Sequence, residues 1–300
     1  MLQSYDERNA GIKYWVNGVL RHRDEPGISP FDSAVQGGDA VWEGLRVYQG
    51  SIFGLEAHLA RLRRSATALN FADIPTDDEI IAAVVATLQA NNMVDGVHIR
   101  LTLTRGVKVT SGMDPRLNQA GPTLIVLAEH KAPVYDTSGL SLITASVRRP
   151  GPDVLDPKIH HANLLNSILA KIEATVAGAD DALMLDGRGF VAETNATHLF
   201  AVINGALVTP TTAACPEGIT RQTVLELAEA AGIAAEVRDM SLAEMYSADE
   251  VFCTGTMGEI AGVTRIDGRT IGSGQTGELT ARIAALYQQH ARTHGTQVLS

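Results

Sequence analysis

Two hydrophobic rhythms alternate along the chain. Apolar and polar residues alternate with period two in "KYWVNGVL" (13–20), "AVWEGLRVYQGSIFGL" (40–55), "GVHIRLTLTRG" (96–106) and "PTLIVLAE" (122–129). That is the spacing of strands with one face buried. Asn17-Gly18 and Gln49-Gly50 interrupt the first two, and such pairs supply the positive φ of a two-residue hairpin turn. Helical spacing takes over at 56–69, where Arg61, Arg63 and Arg64 are read along one face. It returns in "TDDEIIAAVVATLQANN" (76–92), which opens with Thr76 and Glu79 at capping-box spacing.

A polar, proline-containing stretch, 129–139, breaks the pattern and predicts a linker. After the strand "LSLITASV" (140–147) comes "DPKIHHANLLNSILAKIEA" (156–174). There Leu165, Ile168, Leu169 and Ile172, continued by Val176, predict an amphipathic helix. "DALMLDGRGFVAET" and "THLFAVINGALVTP" read as hairpins, the second turning at Asn204-Gly205. A helix opens at Ile219-Thr220, with Thr220 expected as its cap and Gly232 as its end. "DEVFCTGTMGEIAGV" is a strand running into a turn of small residues, and a helix over 277–292 follows. The pattern predicts an α+β fold of two domains: 1–128, a linker at 129–139, and a larger domain at 140–300.

Composition narrows the class. Twenty-four basic against 34 acidic side chains give a net charge of −10, which argues against a nucleic-acid backbone as partner. Two cysteines without CxxC spacing predict no disulfide framework and a reducing compartment. The start of the chain lacks the apolar stretch of a signal peptide, and no apolar run reaches the length of a membrane span. The expectation is a soluble cytoplasmic protein with no membrane partner.

Several motifs compete for chemistry. "GSGQTG" (272–277) matches a dinucleotide-binding glycine pattern, but it lacks the strand before it and the acidic residue after it, so it reads as a loop. His160-His161 has no third ligand at helical spacing, and no metal is expected. Lys158 is a surface charge unless the rest of the chain surrounds it with a ligand. It does. The helix start at Ile219-Thr220 offers free N–H groups for a phosphate, and Thr254–Gly258 follows a strand with the short residues of an anion nest. Glu193 ends the strand "GFVAE". A lysine amine for a Schiff base, phosphate donors and an acid for a ring nitrogen are the parts that hold pyridoxal 5'-phosphate.

"WVNG", "VWEGLRVYQG", "IFGLEAHLARL", "LTLTRG", the Lys158 segment, "VAETNATHLF", "PEGITRQTVLELA" and "ADEVFCTGTMGEIAGVTRIDGR" follow one another over nearly the whole chain. In this order they resemble the class IV aminotransferases, fold-type IV pyridoxal-phosphate enzymes that include branched-chain and D-amino-acid transaminases. The resemblance implies that Lys158 is catalytic and that Glu193 pairs with the cofactor's ring nitrogen. It implies that Arg61, Ile219, Thr220 and Thr256 bind the phosphate. Arg46 and Arg100 stand where the family keeps substrate arginines, with His98 beside them, and Trp42 and Met257 are read as an apolar substrate wall.

The implied activity is ping-pong amino transfer between a branched-chain L-amino acid and a 2-keto acid such as 2-oxoglutarate, in a homodimer. Three tyrosines of the branched-chain pattern are replaced, by Gly37, His98 and Leu164. That keeps a D-amino-acid or (R)-amine transaminase as the alternative, followed by an aminodeoxychorismate-lyase-like enzyme. Arg105, Lys108 and Arg116 then become a second candidate carboxylate clamp.

Overall fold

Asn17 and Gly18 take φ values of 43° and 90°, and Gln49 and Gly50 take 49° and 81°. These left-handed pairs turn β1 (Lys13–Val16) into β2 (Val19–His22) and β3 (Ala40–Tyr48) into β4 (Ser51–Phe53), with the short helix α1 (Ser33–Gly37) between the hairpins. Two helices follow, α2 (Leu55–Ala68) and α3 (Asp77–Ala90). Thr76 and Glu79 close both halves of the capping box on α3. β5 (Val97–Thr104) and β6 (Thr123–His130) complete this part of the chain. The computed structural model describes residues 5–133, 135 and 139–299, which divide into two compact units.

The first unit holds the described residues up to Ala132, together with Ile159–Asn163 and the residues from Ala291 onward. Its antiparallel seven-stranded sheet runs from the chain's last strand through β4, β3, β5, β6 and β1 to β2. Odd-numbered positions of β3 and β5, among them Val41, Leu45, Ile99 and Leu101, face Leu59 and Leu62 of α2 and Val84 and Leu88 of α3. Each fully buried aliphatic side chain contributes about 1.5–3 kcal/mol. The arginines of α2 do not share a face: Arg61 is buried, Arg63 reaches Asp77 and Arg64 is exposed. Two helical residues on is about 200° round the axis, so Arg61 and Arg63 point apart.

The second unit begins with β7 (Leu140–Thr144) and α4 (Leu165–Val176). It continues with β8 (Asp181–Leu185), β9 (Val191–Thr194), β10 (His198–Ile203), β11 (Ala206–Thr209), α5 (Ile219–Ala230), β12 (Ala235–Val237) and α6 (Leu242–Ser247). β13 (Glu250–Gly255), β14 (Glu259–Ile266), β15 (Arg269–Thr270) and α7 (Glu278–Thr293) follow, before β16 (Gly295–Gln297) joins the first sheet beside β4. The second sheet runs β12-β11-β10-β13-β14-β7-β8-β9, with β15 paired to β14. It is mixed, with β11–β12, β14–β7 and β7–β8 parallel. β10 and β13 are apolar on both faces: Leu199 and Cys253 enter one core, Phe200 and Phe252 the other. Continuous apolar runs of this kind mark strands covered on both sides.

Four expectations change here. Gly218, not Thr220, occupies the cap of α5 and brings no side chain; Thr220 is the second helical residue. The apolar stripe of α4 faces solvent, and only Ala170 and Ala174 of that helix are buried. After the final helix comes a further strand, β16. Within the expected linker, residues 129–130 complete β6, while 134 and 136–138 lie outside the described residues. The "GSGQTG" segment is the loop before α7. The first N–H groups of α7, on Leu279 and Thr280, donate to the carboxylate of Glu250 at 3.0 and 2.7 Å.

Candidate functional site

In the second unit, the start of α5 is shaped by a missing side chain. A Cβ on Gly218 would collide with the His198 ring. Glycine therefore lets the helix begin directly against β10, and it leaves the first-turn N–H groups without a side-chain cap, as an anion site requires. His198 pairs in register with Thr254 of β13. Two residues beyond, Thr256 and Met257 form the tight turn into β14. The Thr254 hydroxyl is fully buried and makes no hydrogen bond among the described residues. Such an orphaned polar atom beside an uncapped helix start fits a phosphate group.

Glu193 lies near the end of β9 almost completely buried, and its carboxylate is ion-paired with Arg149. Arg149 is held in turn by the Ser167 hydroxyl of α4 at 3.0 Å. Burial pushes Arg149 down to about 10, which leaves it charged at neutral pH. A buried carboxylate backed by a guanidinium suits a protonated ring nitrogen.

Lys158 is the last residue of its segment in the second unit. It pairs with Glu217 at 3.3 Å, with about half of each side chain exposed. The enclosed lysine pocket expected from the sequence is therefore open on this chain. Burial pushes the Cys215 thiol up to about 11, against the pull of Arg221, Arg149 and Lys158. Arg221 is itself the third residue of α5 and donates to the Pro210 carbonyl at 2.9 Å. The second unit thus holds Lys158, the Arg149–Glu193 pair and the uncapped start of α5.

In the first unit, Arg61 makes a two-pronged ion pair with Glu43, Nε to Oε1 at 2.8 Å and Nη2 to Oε2 at 2.6 Å. His58, one turn earlier on α2, meets the same carboxylate at 2.6 Å, and His160 stands 3.3 Å away. Burial alone raises a carboxyl, but His160 and Arg61 outweigh it and hold Glu43 well below the usual carboxylate range. His160 also stacks on Trp42, ring centroids 4.4 Å apart, and is bonded through Nδ1 to the Trp42 carbonyl. These contacts fix its imidazole against β3. Among the described residues no group of three metal-ligating side chains occurs.

Trp42, Gly44 and Arg46 share one face of the sheet with their register partners Thr102, Arg100 and His98. The Arg100 guanidinium lies over the Trp42 ring at 3.5 Å. Gly44 keeps that face open, since a Cβ would stand a tight 3.3 Å from His98 Nε2 and 3.5 Å from the Trp42 ring. His98 is buried, and neither ring nitrogen makes a hydrogen bond among the described residues. Burial, reinforced by Lys131, Arg100 and Arg46, pushes it down to about 3. The face is cationic, with a neutral imidazole between two guanidiniums, and it can receive a carboxylate.

This shift has a measurable consequence. Between pH 6.5 and 3 the unfolded chain protonates His98 while the folded chain does not, so stability falls as pH falls, by up to about 1.4 kcal/mol per pH unit. His98→Gln is expected to flatten the acid limb of thermal stability between about pH 6.5 and 4. Equal slopes for the variant and the native protein in thermal melts would contradict it.

The second candidate clamp is engaged elsewhere. Arg105 pairs with Asp39 at 2.6 Å, donates to the Leu69 carbonyl at 2.8 Å and lies over the Phe71 ring. Lys108 donates to the Gly112 carbonyl at 2.6 Å, and Arg116 pairs with Asp114 two residues away. Sequence reasoning missed Glu43, Arg149, Glu217 and Gly218. Only Gly218, directly before the helix start, left a local signal.

A family model described as "Amino-transferase class IV" matches residues 40–266. Branched-chain-amino-acid aminotransferase-like protein 2 of Arabidopsis thaliana is 54% identical over 94% of this chain and 50% of its own length. The chain thus spans about half the length of this relative and of branched-chain-amino-acid aminotransferase-like protein 1 of the same plant. A putative branched-chain-amino-acid aminotransferase of Methanocaldococcus jannaschii is 41% identical over 96% of this chain and 99% of its own. Among solved structures, the branched-chain amino acid aminotransferase of Thermobaculum terrenum, in its PLP-form, superposes with a TM-score of 0.86. It shares 29% identity over 97% of this chain and 100% of its own.

Proposed function

The chain belongs to the class IV aminotransferases, and on that premise we propose that it is a pyridoxal-phosphate-dependent transaminase. Its proposed substrates are branched-chain L-amino acids and a 2-keto acid such as 2-oxoglutarate. The observation that carries the reading is the uncapped start of α5 against His198, in the same unit as Lys158 and the buried Arg149–Glu193 pair. We place the enzyme in the cytoplasm as a homodimer; its two described cysteines, both free and buried, accord with a reducing compartment.

In this reading the backbone N–H groups of Ile219 and Thr220 and the hydroxyl of Thr256 hold the phosphate, and Glu193, paired with Arg149, holds the ring nitrogen. Arg61 is carried as a further candidate by its match to the family's "HLARL" arginine. Bound pyridoxal phosphate supplies an electron sink for the Cα–H bond of an attached amino acid. With the cofactor bound, Lys158 would carry it through its side-chain amine and, once freed by substrate, would take the proton from Cα and deliver it to the cofactor's C4′. Glu217, 3.3 Å from Lys158 Nζ, would hold the free amine before the cofactor is attached. Arg46, His98 and Arg100 receive a substrate carboxylate, while Trp42 and Met257 offer apolar contact to the side chain.

The test is a donor screen with purified protein and pyridoxal phosphate, following glutamate formed from 2-oxoglutarate. L-Leucine, L-isoleucine and L-valine are expected to lead, differing modestly because each methylene changes binding by only about 1–3 kcal/mol. D-Alanine or an (R)-arylalkylamine outrunning L-leucine would remove the branched-chain assignment, and pyruvate released without an acceptor would remove amino transfer itself. Acceptor choice should be sharper. Arg100→Ala is expected to slow the 2-oxoglutarate half-reaction at least about tenfold more than the leucine one, since the second carboxylate of the acceptor then loses its guanidinium partner. Stopped-flow measurement of the two half-reactions decides it.

A further inference from the structure

Glycines in a tight turn usually serve left-handed backbone, and those between β13 and β14 do not. Gly255 and Gly258 bracket Thr256 and Met257, yet neither takes a left-handed φ; the left-handed residue there is Glu259, at 51°. Close approach explains both glycines instead. A Cβ on Gly255 would stand 3.2 Å from Cγ2 of Thr197, and one on Gly258 would collide with the Tyr135 ring. The turn therefore rests on two side chains, one at each end.

Both supports are fixed to the hairpin that carries Glu193. The Thr197 hydroxyl meets that of Thr194, the residue after Glu193, at 2.7 Å, and the Thr194 N–H donates to the Thr197 carbonyl at 2.8 Å. Tyr135, from the polar stretch 129–139, donates its hydroxyl to Asp181 at 2.5 Å. Asp181 opens β8, where Met184 stands in register with Glu193 of β9. Its other carboxylate oxygen accepts from Lys171 of α4 at 2.7 Å, which holds the acceptor in place. Burial and the Asp181 carboxylate push the Tyr135 hydroxyl up, so it remains a donor.

We propose that Tyr135 is a positioning residue for the cofactor's phosphate: its ring seats the Thr256–Gly258 turn against the hairpin of Glu193, so that Thr256 and Glu193 serve the two ends of one bound molecule. The inference rests on the pyridoxal-phosphate reading above. Tyr135 acts through the turn, and its bond to Asp181 fixes the ring. A shift of about 1 Å in such a support is enough to forfeit the contact it positions.

Equilibrium dialysis of the full chain, stripped of cofactor, against pyridoxal phosphate and against pyridoxal, which lacks the phosphate, tests this. Tyr135→Ala is expected to weaken pyridoxal phosphate at least about tenfold and pyridoxal less than about twofold, since charge-assisted phosphate bonds are what is lost. Tyr135→Phe keeps the ring against Gly258 and loses one hydrogen bond, so about threefold is expected. Thr256→Val alone should weaken pyridoxal phosphate about tenfold, and Tyr135→Ala added to it should cost less than about twofold more, because both act through one contact. Tyr246→Phe, which removes another tyrosine–carboxylate bond of this unit, to Asp267, should leave both affinities unchanged. Should Tyr135→Ala fail to fold by circular dichroism, Tyr135→Phe is read in its place. Unchanged affinity in the Tyr135 variants, equal losses for the two ligands, or losses that add in full to that of Thr256→Val overturn the positioning role and leave the phosphate reading standing. Native affinity in Thr256→Val removes Thr256 from the phosphate site and the inference with it.

Discussion

Lys158→Ala is expected to lower turnover by roughly 10⁴-fold or more, because one amine both carries the cofactor and moves the proton. The variant should fold normally, since the side chain is half exposed and its ion-pair partner is Glu217, itself half exposed. Loss of activity with an unchanged melting temperature is therefore the signature. Borohydride reduction of the native holoenzyme, followed by peptide mapping, should place the pyridoxyl group on Lys158. A label on Lys171 or Lys108 would sink the assignment. Both are committed to other partners, Lys171 to Asp181 and Lys108 to the Gly112 carbonyl, so neither offers an easy substitute.

Glu43→Gln should have the largest effect on stability. Its carboxylate is fully buried and receives Arg61, His58 and His160 together. Neutralising one partner of a buried charged cluster leaves the others uncompensated, at a cost of about 3–5 kcal/mol. For a chain of this size that corresponds to a fall in melting temperature of roughly 10 °C. The sign with pH follows from the depressed carboxyl. Its contribution is complete above the unfolded value of about 4.3 and is lost as pH falls toward the folded one; Glu43→Gln should remove that limb. A double variant, Glu43→Gln/Arg61→Met, should recover part of the loss, because the orphaned guanidinium goes as well. A melting temperature within about 2 °C of native for the single variant would show that the cluster contributes little.

The same cluster changes how phosphate binding by Arg61 must be tested. Arg61→Ala removes a candidate phosphate ligand and also strands Glu43, so weaker cofactor binding alone does not separate the two. Arg61→Lys keeps the charge beside Glu43 but loses the two-pronged geometry. Comparing it with Arg63→Ala and Arg64→Ala isolates the part that belongs to the cofactor.

Local chemistry made much of this protein legible in its sequence. Asn17-Gly18, Gln49-Gly50 and Asn204-Gly205 turn hairpins because few residue pairs accept two positive φ values in succession. Thr76 and Glu79 start a helix because each satisfies the other's backbone donor. Period-two alternation in β3 and β5 placed Trp42, Arg46, His98 and Arg100 on one face, opposite Val41, Leu45, Ile99 and Leu101. The order of motifs along the chain carried the family, and with it Lys158, Glu193 and Thr256 as candidates.

What the sequence did not carry depends on residues far apart in it. Arg149 and Glu193 are well separated along the chain and meet only because α4 and the end of β9 bring them together. Arg61 faces Glu43 across the helix–sheet packing of the first unit, and Ile159–Asn163 returns to that unit to place His160 on Trp42. Spacing marked Leu165, Ile168, Leu169, Ile172 and Val176 as one helical face but left its direction open. Periodicity reports which side chains point the same way; which way they point is decided by the partners the other face finds. In α4 those partners, Asp181 for Lys171 and Ser146 for Glu173, lie inside the unit, and the apolar stripe is left to solvent.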